Sequence, residues 1–354
     1  MCSSDLLEGY SRFGNWLAWL LLGAMTLVRL LSNLYMIVLL ADTVRLVAPA
    51  AWLPHRIVLG ALAAVAAFLV CDRGGYRALE SSFKLLIAAM AAALLAAVVL
   101  SRPEPAAVVG GLLAPSFPAD RGLYATSFIL IALVGTEAGS LTNITYSYFL
   151  RQKGWCSPEY KSSQRKDLLL TVVSMFAISA ATQIAAAGTL LPAGVSPRDA
   201  ADLVAMFTRA LGAPGLAIFS FGLCAAAFST LAGATTGYAL VASDAVRMLR
   251  GTPAGAAARN CPQRPWIAFW CFAPLPLMAL ADRPVWLVLA VSSVMAACIP
   301  VLALFLLLLT SDRRRMGALV NGRGVQAAFA VLIAASVILL ISNMLQVVSG
   351  GASR

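Results

Sequence analysis

Nine apolar runs, most of them about twenty residues or longer, are strung between short polar segments. They lie at roughly 15–47, 57–71, 78–100, 123–150, 168–190, 214–246, 266–281, 285–309 and 325–347. A helix rises about 1.5 Å per residue, so a run of some twenty residues crosses the roughly 30 Å of hydrocarbon in a bilayer. Backbone N–H and C=O groups find no water at that depth and need partners within the segment, which makes helices the expected form. The first run is long for one crossing and is expected to tilt or to project beyond the membrane. The fourth is interrupted in its middle. The pattern therefore predicts an all-α polytopic membrane protein. One transmembrane domain of about nine helices covers 15–347, a polar segment 1–14 precedes it and a short tail 348–354 follows.

Composition agrees with this picture. Hydrophobic residues make up 61% of the chain and charged residues 12%, against about 25% charged in a soluble domain, and no water-soluble core of this length hides so much apolar surface. The net charge of +11 would fit a nucleic-acid binder if it lay on one face. Instead the Lys and Arg fall between the apolar runs, where they act as topology signals, so the lipid bilayer is an expected partner and nucleic acid is not. One set of alternate loops holds sixteen of them, from Arg12 to Arg323, and the other seven, from Arg56 to Arg354. The richer set belongs inside, which predicts a cytoplasmic N-terminus and an outside C-terminus.

Met1 to Asn15 is polar and lacks the short apolar core of a signal peptide. An odd number of spans opening on a polar loop is unusual for a complete transporter. The opening Met1-Cys-Ser-Ser-Asp-Leu6 also resembles a translated sequencing adapter. The expectation is a chain shortened at its N-terminus, with that hexapeptide foreign to the protein. Of the seven cysteines, Cys71, Cys224, Cys271 and Cys298 lie in or at the ends of apolar runs and no Cys-x-x-Cys pair occurs, so they read as small buried hydrophobes. A single histidine, His55, excludes a His-rich metal site. With no nucleophile and base or catalytic metal motif on one helix face, neither an enzyme nor a bound cofactor is expected.

The stretch with most chemistry is Ala132-Leu-Val-Gly-Thr-Glu-Ala-Gly-Ser-Leu-Thr-Asn-Ile-Thr-Tyr-Ser-Tyr-Phe-Leu150. Gly135 and Gly139 are expected to weaken the helix there, and an unwound segment at mid-membrane frees carbonyls and helix ends to hold an ion or substrate. Glu137 falls near the midplane, where a carboxylate is costly unless paired, protonated or facing a polar cavity, which makes it a functional candidate. Thr136, Ser140, Thr142 and Asn143 add oxygen ligands of the kind hard divalent cations prefer. The plainer alternative is a small-xxx-small packing face at Gly135 and Gly139, with Glu137 bonded to a neighbouring helix. Both can hold at once. Elsewhere, Gly222 to Gly237 reads as a close-packing helix face. Arg29 and Asn33, like Asp42 and Arg45, lie a turn apart in the first run and suggest ion pairing or snorkelling, with a proton path as the functional alternative. Glu80 and Lys84 suggest an interfacial pair, and Asp312 to Arg315 an anchor.

Three further segments resemble the Nramp proton-coupled metal transporters, in the right order. Gly75-Tyr-Arg-Ala-Leu-Glu80 resembles that family's turn between its fourth and fifth helices, and Phe219 to Gly233 resembles its eighth helix. Ile299-Pro300 running to Thr310-Ser-Asp-Arg-Arg-Arg-Met-Gly317 resembles the end of its tenth. The resemblance extends from about Leu7 over nearly the whole chain and equates the nine spans with helices three to eleven of an eleven-helix protein. It implies a fold of two inverted five-helix repeats, as in the amino acid/polyamine/organocation superfamily. The second repeat is then intact in spans four to eight, while the first two helices, with the broken first helix and its Asp-Pro-Gly-Asn metal motif, are missing. In the sixth family helix the usual Met-Pro-His is replaced by polar residues around Ser140 to Asn143, of which Asn143 matches the pattern. A thioether favours softer transition metals, so its absence leaves room for Mg²⁺ beside Mn²⁺. The family histidine linked to proton movement has no counterpart.

The expected function is secondary-active transport of a divalent cation, the cargo, across a bacterial inner membrane, with protons as the family's coupling ion and Glu137, Asn143, Thr136, Ser140 and Thr142 lining the site. The alternatives are a transporter of an organic solute such as an amino acid or amine, and a membrane sensor or receptor subunit that binds without turnover. No obligate protein partner is evident.

Overall fold

The computed structural model describes residues 15–47, 55–73, 76–114, 126–138, 141–155, 157–190, 192, 194, 200–250, 263–281, 284–317 and 320–351. These form helices and turns, and among them there is no strand. The protein is an all-α polytopic membrane protein. In chain order the helices are α1 (Asn15–Val47), α2 (Arg56–Asp72), α3 (Tyr76–Leu100), α4 (Pro105–Leu113), α5 (Thr126–Ala138), α6 (Thr142–Gln152) and α7 (Lys161–Thr189). They continue with α8 (Ala200–Leu211), α9 (Ala213–Leu249), α10 (Arg264–Phe272), α11 (Pro284–Ser311), α12 (Arg313–Met316) and α13 (Arg323–Gly351).

Among the described residues each apolar run is helical, apart from short turns, and local chemistry sets the ends. His55 caps α2, its Nδ1 accepting the Ile57 N–H at 3.4 Å. Pro105, Pro214, Pro265 and Pro284 stand in first turns, where the missing N–H costs nothing. α9 follows Gly212 at φ +69°, a left-handed turn that glycine adopts without strain. The run at 168–190 starts earlier than expected, at Lys161, because the polar stretch before it completes two further turns. The run at 266–281 is divided at Pro274 into α10 and a 3-10 segment, Leu275–Leu280. Among the described residues five helices, in α1, α7, α9, α11 and α13, are long and apolar enough to cross a membrane. A sixth is added if α3 and α4, bent by 114° at the intervening turn, form one broken span. The bend passes through Arg102 at φ +45°.

α9 is the centre of the molecule and touches α1, α2, α3, α6, α8 and α10. Its small residues allow this. At Gly237 a methyl group would sit 2.9 Å from Phe149 Cζ and 3.1 Å from Thr145 Cβ of α6, and at Gly222 it would meet Met90 of α3. The face read as close-packing is therefore used as such. The largest buried side chains, among them Ile37, Tyr238, Leu231, Trp270 and Met278, gather where α1, α9, α10 and the 3-10 segment converge. α8 is amphipathic, with Val204 and Phe207 buried, Arg209 exposed and Phe207 stacked on Phe219 of α9. By contrast α7 and α13 are peripheral. Leu168, Leu169, Leu170 and Phe176 on α7 and Val331 and Ile338 on α13 are exposed, as lipid-facing positions are.

Two pairings differ from expectation. Asp42 bonds Arg56 of α2, through Nε at 2.8 Å and Nη2 at 2.9 Å, and not Arg45 one turn away. The fork of Arg56 reaches both carboxylate oxygens and also donates to the Ala281 carbonyl at 3.0 Å, a geometry that sequence spacing within one helix does not reveal. Arg29 does not snorkel: it is buried at 4% exposure, and its Nε and Nη2 have no partner among the described residues. The side chain of Glu80 lies outside the described residues.

Candidate functional site

Of the fourth run, where an interruption is expected, α5 is described to Ala138 and α6 from Thr142, with Leu141 in a turn before it. Gly139 and Ser140 lie outside the described residues, as does the side chain of Glu137, whose backbone belongs to the last turn of α5. Gly135 does not break the helix, since α5 continues through it to Ala138. Its missing side chain serves a different purpose. A methyl group there would collide with the backbone carbonyl of Ser292, so glycine is what lets α5 lie directly on α11. One residue further on, the Thr136 hydroxyl shares hydrogen bonds with the Ala132 carbonyl at 2.9 Å and the Ser292 hydroxyl at 2.8 Å.

Beyond the break the contacts change partner. The Thr142 hydroxyl meets the Tyr238 hydroxyl of α9 at 3.3 Å. Thr145 donates to the Thr142 carbonyl at 2.6 Å, and Tyr148 OH donates to Asp244 Oδ2 of α9 at 2.8 Å. Asp244 also holds Arg247, whose Nε and Nη2 donate to Oδ1 at 2.9 and 2.6 Å, and all three residues are buried. Removing one partner of such a buried pair typically costs about 3–5 kcal/mol. The far end of α6 is tied to α7, where Asp167 accepts from Tyr146 OH at 3.1 Å and faces Lys153 Nζ at 3.6 Å. The two halves of the broken helix are thus anchored on different helices, α5 on α11 and α6 on α9 and α7.

Of the predicted site residues, Thr136, Thr142 and Asn143 flank the break and are exposed. The Thr136 and Thr142 hydroxyls there already bond Ser292 and Tyr238. Among the described residues no three His, Cys, Asp or Glu come together as a metal cluster. Asp244, Arg247 and Ser292 carry weight that sequence reading missed. Asp244 and Arg247, three apart at the end of an apolar run, carried a usable signal, whereas Ser292 is one hydroxyl among many.

A second polar group lies in the core beside the site. Asn33 of α1 donates from Nδ2 to Thr235 Oγ1 of α9 at 3.0 Å and to the Trp270 carbonyl of α10 at 2.8 Å. Tyr238 stands edge-on to Trp270, ring centroids 6.3 Å apart, and the Arg29 guanidinium lies 5.5 Å from the Tyr238 ring centroid. The same Tyr238 hydroxyl reaches Thr142 at the break. Arg29 Nε and Nη2, Asn33 Oδ1 and Trp270 Nε1 are buried and have no hydrogen-bond partner among the described residues. A desolvated cation–π contact is worth about 2 kcal/mol, less than the several kcal/mol that burying an ion costs.

The family model described as natural resistance-associated macrophage protein-like (Nramp) matches residues 7–346. No curated protein sequence matches the chain.

Proposed function

Because the chain belongs to the Nramp family, which implies transport of divalent metal cations, we propose that it carries Mg²⁺ or Mn²⁺ through the α5–α6 break. The observation that carries this reading is the anchoring of the two half-helices on different partners. Thr136 and Gly135 hold α5 to α11, while Thr142 and Tyr148 hold α6 to α9. A cation at the break is then shared between two bodies, and a relative shift of the bodies exposes it to one side or the other. The ligands are the Thr136 and Thr142 hydroxyls, the Asn143 amide oxygen, backbone carbonyls at 139–141 and the Glu137 carboxylate, with Ser140 as a further hydroxyl. All are hard oxygen donors, and no thioether joins them, which favours Mg²⁺ over softer ions.

In this reading the fold is that of two inverted repeats, with the break in the second. The membrane is a bacterial inner membrane, and the end preceding α1 faces the cytoplasm in keeping with the arginine and lysine count. Proteoliposome uptake of Mg²⁺ and Mn²⁺ tests the site. Glu137→Gln and Asn143→Ala are expected to reduce initial uptake at least ~10-fold, the loss of an anionic or amide ligand to a hard cation. Unchanged uptake in Glu137→Gln removes that residue from the site. A pH-sensitive dye in the same vesicles reads proton coupling.

Arg29 favours a second reading, an organic solute with a carboxylate, because a buried guanidinium beside the break attracts an anionic group and repels a bare cation. Titrating Mg²⁺ against an amino acid mixture separates the two.

A further inference from the structure

Three arginines of this protein present the same edge of the guanidinium, the one bearing Nε and Nη2. Arg56 grips the two oxygens of Asp42 with it, and Arg247 grips Oδ1 of Asp244. In Arg29 that edge, with both nitrogens buried, has no partner among the described residues. Arginine stays protonated at any accessible pH and carries no acceptor of its own. The Tyr238 ring 5.5 Å away offers a π face and not a negative charge. Trp270, fully buried on α10, carries an indole N–H that also has no partner among the described residues. Asn33 orders this corner by bonding both Thr235 and the Trp270 carbonyl.

We propose that Arg29, lying over the Tyr238 ring that meets Trp270 edge-on, is a buried receiving site for one carboxylate, gripped side-on as Arg56 grips Asp42. A carboxylate matches the fork in shape and neutralises the charge, which water does not do. Two sources share that chemistry. One is an acidic side chain of this protein outside the described ones, with Glu137 as the candidate tested; Asp42, Asp72, Asp167 and Asp244 already face Arg56, Arg264, Lys153 and Arg247. The other is a small free carboxylate. The site stands whichever cargo the protein carries, because its occupant is an anion and its readout is stability.

Thermal unfolding of the purified chain in detergent, in rising sodium formate against sodium sulfate of equal ionic strength, tests it. A ligand that binds only the folded protein raises the unfolding temperature with the logarithm of its concentration. A formate-dependent rise in the wild type identifies a free carboxylate as the occupant. A rise confined to Glu137→Gln identifies Glu137 as the carboxylate that occupies the site in the wild type. No rise in either chain, or a rise that survives in Arg29→Met, overturns the proposal. Trp270 supplies a readout independent of stability. Its emission, isolated by difference from Trp270→Phe, is expected to shift with formate in the responding chain. Arg29→Lys keeps the charge but loses the fork, and should raise the formate concentration needed by ~10-fold or more. An unchanged midpoint in that variant also counts against the site.

Discussion

Arg247 and Arg29 are both buried in the helical core, at 6% and 4% exposure, yet their surroundings are opposite. Arg247 stands three residues from Asp244, which also accepts the Tyr148 hydroxyl, so a charged pair and a neutral donor form one bonded group joining α9 to α6. Arg29 has a ring face and an amide nearby but no acid among the described residues. The difference teaches that burial alone does not assign a role to a charge. A charge whose hydrogen bonds are complete holds helices together, and one whose bonding edge is bare is a place for something else to bind.

The largest expected effect comes from stranding Arg247. Asp244→Leu should lower stability by about 3–5 kcal/mol, read by thermal unfolding, and the double variant Asp244→Leu with Arg247→Leu should recover most of it. If the single variant unfolds like the wild type, the pair is not what joins α6 to α9. Next is Tyr148→Phe, which leaves the ion pair but removes a hydrogen bond to a charged group and should cost about 1.5–3 kcal/mol. Gly135→Ala follows, since the added methyl forces α5 off the Ser292 carbonyl, at about 1–3 kcal/mol. Gly23→Ala is its control. Gly23 has nothing within 4 Å of an added methyl, so helix propensity alone should make that change stabilising by up to about 1 kcal/mol. Arg29→Met, measured without added carboxylate, should cost nothing or stabilise if a free carboxylate is the occupant, because it then removes a buried charge with no counter-charge, and should destabilise if Glu137 is, because it strands that carboxylate. A loss comparable to Asp244→Leu would show that Arg29 is as fully bonded as Arg247. Smallest is Leu169→Ala on exposed α7, within about 0.5 kcal/mol.

The helices on either side of the candidate site were legible in the sequence because they depend on local hydropathy: α5 is described to Ala138 and α6 from Thr142, within the run read as one interrupted span. Gly135 was legible as important but not in its role. A glycine that breaks a helix and one that admits a neighbouring carbonyl look alike until the neighbour is known. The reading of Asp42 with Arg45 failed for the same reason. Spacing of one turn is necessary for a pair, but an arginine on another helix reached both carboxylate oxygens and won.

The sequence by itself determined the class of structure and the position of its helices. Hydropathy and the need to satisfy backbone groups in lipid act residue by residue along one segment, and the family match over residues 7–346 rests on the same linear order. Tertiary structure alone decided which helices are central. α1 and α13 are both strongly apolar, at mean hydropathy 1.8 and 2.5, yet 56% of the apolar stretch of α1 is buried and 6% of that of α13. Lipid and protein interior are equally apolar, so hydropathy cannot distinguish a helix facing one from a helix facing the other. Packing on α9 and its neighbours sets α1 apart, and it brings Asn33 onto Thr235 and Trp270 and Arg29 onto Tyr238.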